Sequence, residues 1–383
     1  MNQWMLFLFL SLAFFMGARE PKKVCLNMIV KNESEVIERC LNSVKPIIDY
    51  WLIVDTGSMD GTQEIIKNCL KGIPGELHER PWIDFAHNRN EALTLAKNKG
   101  DYLLFIDADD ALECSTSFVW PNLDKDFYSI LLRDRKGSDI QRVALINSHL
   151  NWKWEGVLHE TLECPEAKSS ALLKDILIRY NVGKGARAKD PKQFLKDAQT
   201  FEKALEKDPN NPRYLFYLAR SYAHAGEKEL AEKAYQKRIA MPSKDVQETY
   251  LSLYNLGLLQ GESNPEAAIE TYSKAYAFRP TRAEPLFRMA ALYREMGRPL
   301  LGYQLAKLAL NLSRPLNDVC VEYITYDYQL KVEYTYCAFF AGKYQEGIEG
   351  CRELLANPNL PEDLRLRVKA NLEVALVLRT ERS

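Results

Sequence analysis

Apolar residues follow two rhythms along this chain, and the change between them divides it. In the first half, short runs that are apolar at nearly every position alternate with stretches that are apolar every third or fourth residue. Residues 24–30 (VCLNMIV) are the first such run, the pattern of a strand buried on both faces. Asn32, with Glu35 three residues on, reads as a helix N-cap with its capping-box partner. Val36, Ile37, Cys40, Leu41 and Val44 then fall on one helical face. Residues 51–54 predict a second strand, stopped by the turn Asp55-Thr56-Gly57-Ser58, and Gly61-Thr62 opens a helix through Leu70. A weaker strand follows at 75–80, and a helix at 87–97 with Ala92, Leu93 and Ala96 inward. A strong strand at 102–106 (YLLFI) runs straight into Asp107-Ala108-Asp109-Asp110. This alternation predicts a doubly wound, mostly parallel α/β sheet. Ligands of such sheets bind at the carboxyl ends of the strands. Here those ends carry Lys31-Asn32-Glu33, Asp55 and Asp107-Ala108-Asp109, so polar groups gather on one edge.

Beyond Asp110 the pattern weakens. Residues 127–133 and 141–147 read as strands joined by a turn at Lys136-Gly137-Ser138-Asp139. The aromatic segment NWKWEGVLHETL, residues 151–162, contains His159-Glu160, and 172–180 reads as a last strand before a linker at 181–185. The second half is helical and repetitive. Leu215, Leu218, Ala219, Tyr222 and Gly226 match Leu286, Met289, Ala290, Tyr293 and Gly297 at a constant offset of 71, two periods of about 35. A middle copy fits with an insertion near Asn264, and a degenerate fourth surrounds Gly342. One helix pair cannot bury its apolar face alone, so such pairs stack into an α-solenoid with a concave surface. The aromatic stripe along these helices belongs to the core. The expected organisation is an apolar segment at 1–20, an α/β domain at 23–185 and a helical repeat domain at 190–383.

Composition narrows the functional classes. The chain has 383 residues, 46% apolar and 27% charged, which is enough to bury two cores. Residues 21–189 hold 23 basic and 25 acidic side chains, and neither half has the cationic excess that bulk nucleic-acid binding requires. The eight cysteines form no CxxC pair and no zinc spacing, and they read as buried reduced thiols. Residues 4–18 (WMLFLFLSLAFFMGA) are short for a spanning helix and right for a signal-peptide core. The basic residues Arg19, Lys22 and Lys23 follow that run rather than precede it, the order that keeps the next domain on the cytoplasmic side. A cleaved signal, a short membrane anchor and a mis-assigned start are the three readings. The first two put the protein at a membrane or outside the cytoplasm.

The sharpest chemical feature is Asp107-x-Asp109 directly after a buried strand. Three carboxylates within four residues repel one another, and a divalent cation relieves that repulsion. Oxygen ligands suit magnesium or manganese. Asp55 reads equally as a turn residue and as a ligand contact. Arg89, with Asn90, opens a helix near the same edge and could pair with a phosphate, against the default of a solvated arginine. His159, set between tryptophans and Glu160, offers a metal ligand beside a carboxylate base, against the default of a hydrogen-bonded structural histidine. HExxH is absent, which excludes a zincin.

The strings CLNMIVKNESEVIERCLNSV, WLIVDTGSMDGTQEII and FAHNRNEALTLAKNKGDYLLFIDADD together resemble family 2 glycosyltransferases of the GT-A fold, over roughly residues 23–112. The helical half resembles tetratricopeptide repeats over roughly 195–360. The combination is similar to the bacterial branch that includes peptide S-glycosyltransferases. The resemblance implies inverting transfer from a nucleotide-sugar donor, usually a UDP-sugar, to a protein, peptide or saccharide acceptor, with Mn2+ or Mg2+ as cofactor. It implies that Asp55 contacts the uracil, Asp107 the ribose or the metal, and Asp109 the metal. Arg89, Lys31 and Glu33 would then border the nucleotide, and His159 would complete the metal or diphosphate site. Glu160 is the first choice of base and Glu155 the second. The QxxRW motif of processive members is missing, which argues against a polysaccharide synthase. A protein partner on the concave face of the repeats is a further expectation. The rival from another class is a repeat scaffold whose front domain has lost catalysis. A nucleotidyltransferase ranks lower, because no glycine-rich phosphate loop follows the first strand.

Overall fold

The structure is a computed structural model that describes residues 21–133, 139–180, 185–242, 245–315 and 318–380. The expected apolar segment at 1–20, most of the turn at 136–139 and most of the linker at 181–185 lie outside these residues.

The first half forms one eight-stranded mixed sheet and a two-stranded ribbon. Its elements are β1 (Val24–Val30), α1 (Ile37–Val44), β2 (Tyr50–Asp55), α2 (Thr62–Cys69), β3 (Gly75–Glu79), α3 (Phe85–Ala96), β4 (Tyr102–Leu104), β5 (Ala111–Cys114), β6 (Phe127–Arg133), β7 (Asp139–Asn147), β8 (Lys153–Glu155), β9 (Thr161–Glu163) and β10 (Ser170–Arg179). The strand order is β3-β2-β1-β4-β7-β6-β10-β5, with β8 and β9 paired apart. The first four strands are parallel, as the strand–helix alternation requires. Beyond β4 the sheet turns: β7 runs antiparallel to β4 and β6 antiparallel to β7. These strands are joined without crossover helices, so nothing forces them to be parallel.

β1 explains its own unbroken apolar run. Val24, Leu26, Met28 and Val30 pack with α1 on one face of the sheet. Cys25 packs on the other face with Ala92 and Ala96 of α3. On that face Asn27 donates its amide to the Ala92 carbonyl at 2.9 Å, which satisfies the one polar group in the run.

The expected cap of α1 is corrected. Asn32 lies at φ 55, in the left-handed region, and the residue before α1 is Val36, which makes no side-chain cap bond. Asn32 instead accepts from the Met59 amide at 2.8 Å, and its own amide donates to the Ser58 hydroxyl at 2.8 Å. Asparagine tolerates this backbone conformation, and its side chain ties the loop after β1 to the loop after β2.

The second half is a run of ten helices among the described residues: α4 (Gln193–Lys207), α5 (Pro212–Ala225), α6 (Lys228–Ile239), α7 (Val246–Gly261), α8 (Pro265–Phe278), α9 (Glu284–Glu295), α10 (Pro299–Ala309), α11 (Leu330–Phe340), α12 (Tyr344–Ala356) and α13 (Glu362–Thr380). The offset of 71 maps α5 onto α9, and the turn glycines Gly226, Gly297 and Gly342 share φ values of 83, 72 and 74. Each ends the first helix of a pair in the left-handed conformation that glycine adopts without strain. Asn264, at the expected insertion, caps α8 by accepting from the Ala267 amide. Where the sequence pattern is silent, between α10 and α11, the chain folds back. Asp318 there accepts from Arg279 at 2.6 Å and from Gln247 at 2.9 Å.

Candidate active site

β1 and β2 are in parallel register with Val30 opposite Asp55, so their loops leave the sheet on the same edge, beside the segment that follows β4. Asp55 is fully buried. Its Oδ1 accepts from the amides of Gly57 at 2.8 Å and Ser58 at 2.7 Å, the Asx turn expected of the sequence. Its Oδ2 is buried and has no hydrogen-bond partner among the described residues. A buried, unsatisfied carboxylate oxygen is costly.

Asp107 is gripped from two sides. Arg142 Nη1 donates to Oδ2 at 2.7 Å and Arg89 Nη2 to Oδ1 at 2.9 Å. Burial pushes this carboxyl up, but the guanidiniums of Arg142 and Arg89 overcome it and hold it well below the usual carboxylate range. Arg89 also donates Nε to Glu160 Oε1 at 2.6 Å and lies over the Trp154 ring at 4.9 Å. Arg89 is therefore no solvated surface arginine. It is 11% exposed and links the strand-end aspartate to Glu160, which is 9% exposed. Asn90 fixes the partner segment by exchanging two 2.8 Å hydrogen bonds with the Trp154 backbone.

Asp109 and Glu33 form a second acidic pair. Burial raises the Asp109 carboxyl, and the charge on Asp107 adds to the rise. Burial pushes Glu33 up to about 7, opposed by the Ala186 amide and reinforced by Asp109 and Asp60. The Gly185 amide donates to Asp109, and the Ala186 amide donates to Glu33 at 3.2 Å. A Cβ on Gly185 would sit 3.0 Å from Asp109 Oδ2, so only glycine allows this approach without a shift. Lys31 is exposed at the rim.

The other expected residues lie differently. His159 adopts φ 51, and its ring stacks on Tyr217 of α5 at 4.1 Å and lies parallel to Phe201 of α4. Its carbonyl accepts from Arg213 Nη2 at 2.9 Å. Although the residue keeps an open edge, desolvation against these rings and the charges of Arg220, Arg187 and Arg213 lower its pKa to about 4. Glu155 is half exposed and pairs with Lys153 at 2.9 Å. The structure thus brings together Asp107, Asp109, Glu33, Arg89 and Glu160, and it turns His159 toward the repeats.

The residues that sequence reasoning missed are Arg142, on a strand with no motif, and the Gly185-Ala186 amides, which carry no side-chain signal. Among the described residues no group of three or more His, Cys, Asp or Glu could hold a metal ion. Both oxygens of Asp107 are taken by arginines, so of the expected ligands Asp109 is the one whose chemistry and place fit a hard cation.

Residues 25–116 match the family described as Glycosyl transferase family 2, and residues 200–233 match a tetratricopeptide repeat. The chain carries a family 2 glycosyltransferase domain joined to tetratricopeptide repeats. A TPR repeat-containing protein of Synechococcus elongatus is 24% identical over 77% of this chain and 77% of its own. The SPbeta prophage-derived glycosyltransferase SunS of Bacillus subtilis is 25% identical over 52% of this chain and 49% of its own. An uncharacterized glycosyltransferase of Rickettsia bellii is 37% identical over 28% of this chain and 36% of its own. The chain therefore spans about half or less of these relatives named as glycosyltransferases. In the glycosyltransferase domain, the matched segment contains every strand-end carboxylate described above, while Arg142, Glu160 and the Gly185-Ala186 amides lie beyond it. Glycosyl transfer is the activity this domain supports. Among the described residues no helix is long and apolar enough to cross a membrane.

Proposed function

We propose that this protein is an inverting glycosyltransferase that moves a sugar from a UDP-sugar to a nucleophile on a polypeptide. One observation carries the reading: a row of strand-end carboxylates, Asp55, Asp107 and Asp109, linked through Arg89 to the nearly buried Glu160. In this reading the open Oδ2 of Asp55 accepts from the uracil, Asp107 faces the ribose, and Lys31 and Glu33 border the donor. Glu160 is the general base. The acceptor nucleophile attacks the anomeric carbon, the bond from that carbon to the diphosphate breaks, and the acceptor proton passes to Glu160. Arg89 orients Glu160 by holding Oε1. Glu155, exposed and paired with Lys153, is set aside. Asp109, with Glu33 beside it, would hold Mn2+ or Mg2+. The cation supplies charge neutralisation to the leaving diphosphate. His159 serves the reaction by fixing the loop that carries Glu160 against α5. The repeats contribute part of the acceptor site.

The test is UDP-sugar binding and hydrolysis by the chain lacking residues 1–20, with and without manganese. Turnover that needs metal, is lost in Asp109→Asn and falls by at least about a hundredfold in Glu160→Gln is the expected result. A folded protein that binds no nucleotide sugar would replace this reading with the repeat scaffold.

A further inference from the structure

A cavity of about 330 Å3 opens in the repeats, away from the strand-end carboxylates. Phe216, Ala223, Leu251, Leu258 and Leu259 give it apolar walls from α5 and α7, and Tyr235 and Asn255 close one side by hydrogen bonding to each other at 3.2 Å. Arg220 and His224 of α5 line the same space.

Arg220 is the unusual member. It is half-buried and packs its guanidinium over Phe216 and Tyr217 at 5.5 and 5.7 Å. Among the described residues no carboxylate pairs with it, in contrast to Arg213 about two turns before it, which bonds Glu248. Its charge reaches into the surroundings. Burial, reinforced by the charge of Arg220, lowers the pKa of His224. A half-buried cation whose contacts are ring faces has lost part of its hydration and gained no ion pair. An anion that enters with an apolar body gains the ion pair and buries the body at the same time.

We propose that this cavity is a binding site for a carboxylate carried on an apolar group, with Arg220 taking the carboxylate and the leucine-lined interior taking the apolar part. The volume suits one large side chain or a molecule of that size. The site is mechanically joined to the glycosyltransferase domain. Arg213, Tyr217, Arg220 and His224 form one stripe along α5, and the first two hold His159. From Tyr217 to His224 is about 10 Å along the helix axis, the span of about three extended residues. A ligand here therefore sits on the same helix that holds His159, the residue before Glu160.

Cys320 provides the readout. It lines the same cavity, it is the exposed cysteine among the eight, and its carbonyl is fixed by Arg282 at 3.0 Å. The probes are 4-phenylbutyrate and its neutral isostere 4-phenylbutyramide, each tested for protection of Cys320 from alkylation by iodoacetamide in the full chain. A parallel pair, acetylated and amidated Gly-Phe-Glu-Gly and Gly-Phe-Gln-Gly, distinguishes a polypeptide source of the carboxylate from a free small molecule. The acid should protect at a concentration at least about tenfold below the amide. Arg220→Gln should erase that preference, and Arg220→Lys, which keeps the charge, should retain it if either variant folds. Protection by the glutamate peptide over the glutamine peptide assigns the ligand to a polypeptide, and protection by phenylbutyrate alone assigns it to a free carboxylate. Equal protection by acid and amide in the native chain, or protection by none of the four probes, overturns the proposal.

Discussion

Two clusters of buried charge, one in each half of this molecule, are held on different terms. In the repeats, Arg282 and Glu284 are 1% and 0% exposed. Arg282 donates to Glu284 at 2.7 Å and to the carbonyls of Val319 and Cys320, and its face packs on Tyr250. Glu284 also accepts from the Tyr326 hydroxyl at 2.6 Å. These partners come from α7, α9 and the fold-back segment after α10, so the pair clamps irregular chain to two helices. At the sheet edge, Asp55 leaves one buried oxygen without a partner, and Asp109 and Glu33 are held by backbone amides rather than by cations. The first cluster is satisfied within the chain. The second is satisfied only in part within the chain. A buried polar group with all its partners holds a fold together, whereas one that lacks a partner leaves its desolvation cost uncompensated within the chain.

The comparison breaks most readily through stability. Arg282→Met leaves Glu284 buried without its cation and should cost about 3–5 kcal/mol in urea unfolding. Asp109→Asn removes a charge that its surroundings disfavour, and should change stability by less than about 1 kcal/mol while abolishing donor hydrolysis. Similar losses from both would dissolve the distinction. Glu33 gives a smaller and sharper effect. Its folded pKa of about 7 lies above the ordinary glutamate value of 4.5, so the native state binds the proton more tightly. Stability from this group is full below about pH 4.5 and is lost as pH rises towards 7. Wild type should therefore lose, on the order of 1 kcal/mol, relative to Glu33→Gln between those limits, and a pH-independent difference would contradict it. His159 should show the opposite sign. Its folded pKa of about 4 lies below 6.5, so stability is present above pH 6.5 and is lost as pH falls towards 4. The effect should be a few tenths of a kcal/mol, because the residue keeps an open edge. His159→Phe keeps the stacking on Tyr217 and should flatten that acid limb in thermal unfolding measured from pH 4 to 7.

Much of the sheet edge is legible in the sequence. The both-faces-buried run of β1, the turn at Asp55 and the acidic cluster after β4 are local patterns, and local patterns survive folding because each follows from a few adjacent residues. The five-residue match across an offset of 71 is local in the same sense, since each repeat buries the same stripe against its neighbour. The cap at Asn32 misled because a capping box is recognised by spacing alone, whereas the backbone there is set by a loop that arrives from Met59.

The sequence by itself determined that a parallel α/β unit precedes stacked helix pairs, and that Asp55, Asp107 and Asp109 share one edge, since strand periodicity and chain direction decide which ends point together. It did not decide which charges neutralise which. Arg142 reaches Asp107 from a strand 35 residues away, and Arg89 reaches Glu160 across 71. Whether His159 faces the carboxylates or the repeats depends on where α5 packs, and that was settled when Tyr217 and Arg213 met its ring and its carbonyl. Pair electrostatics and stacking depend on distance in space, and only tertiary packing, within the sheet domain for the first two and between the halves for His159, sets that distance.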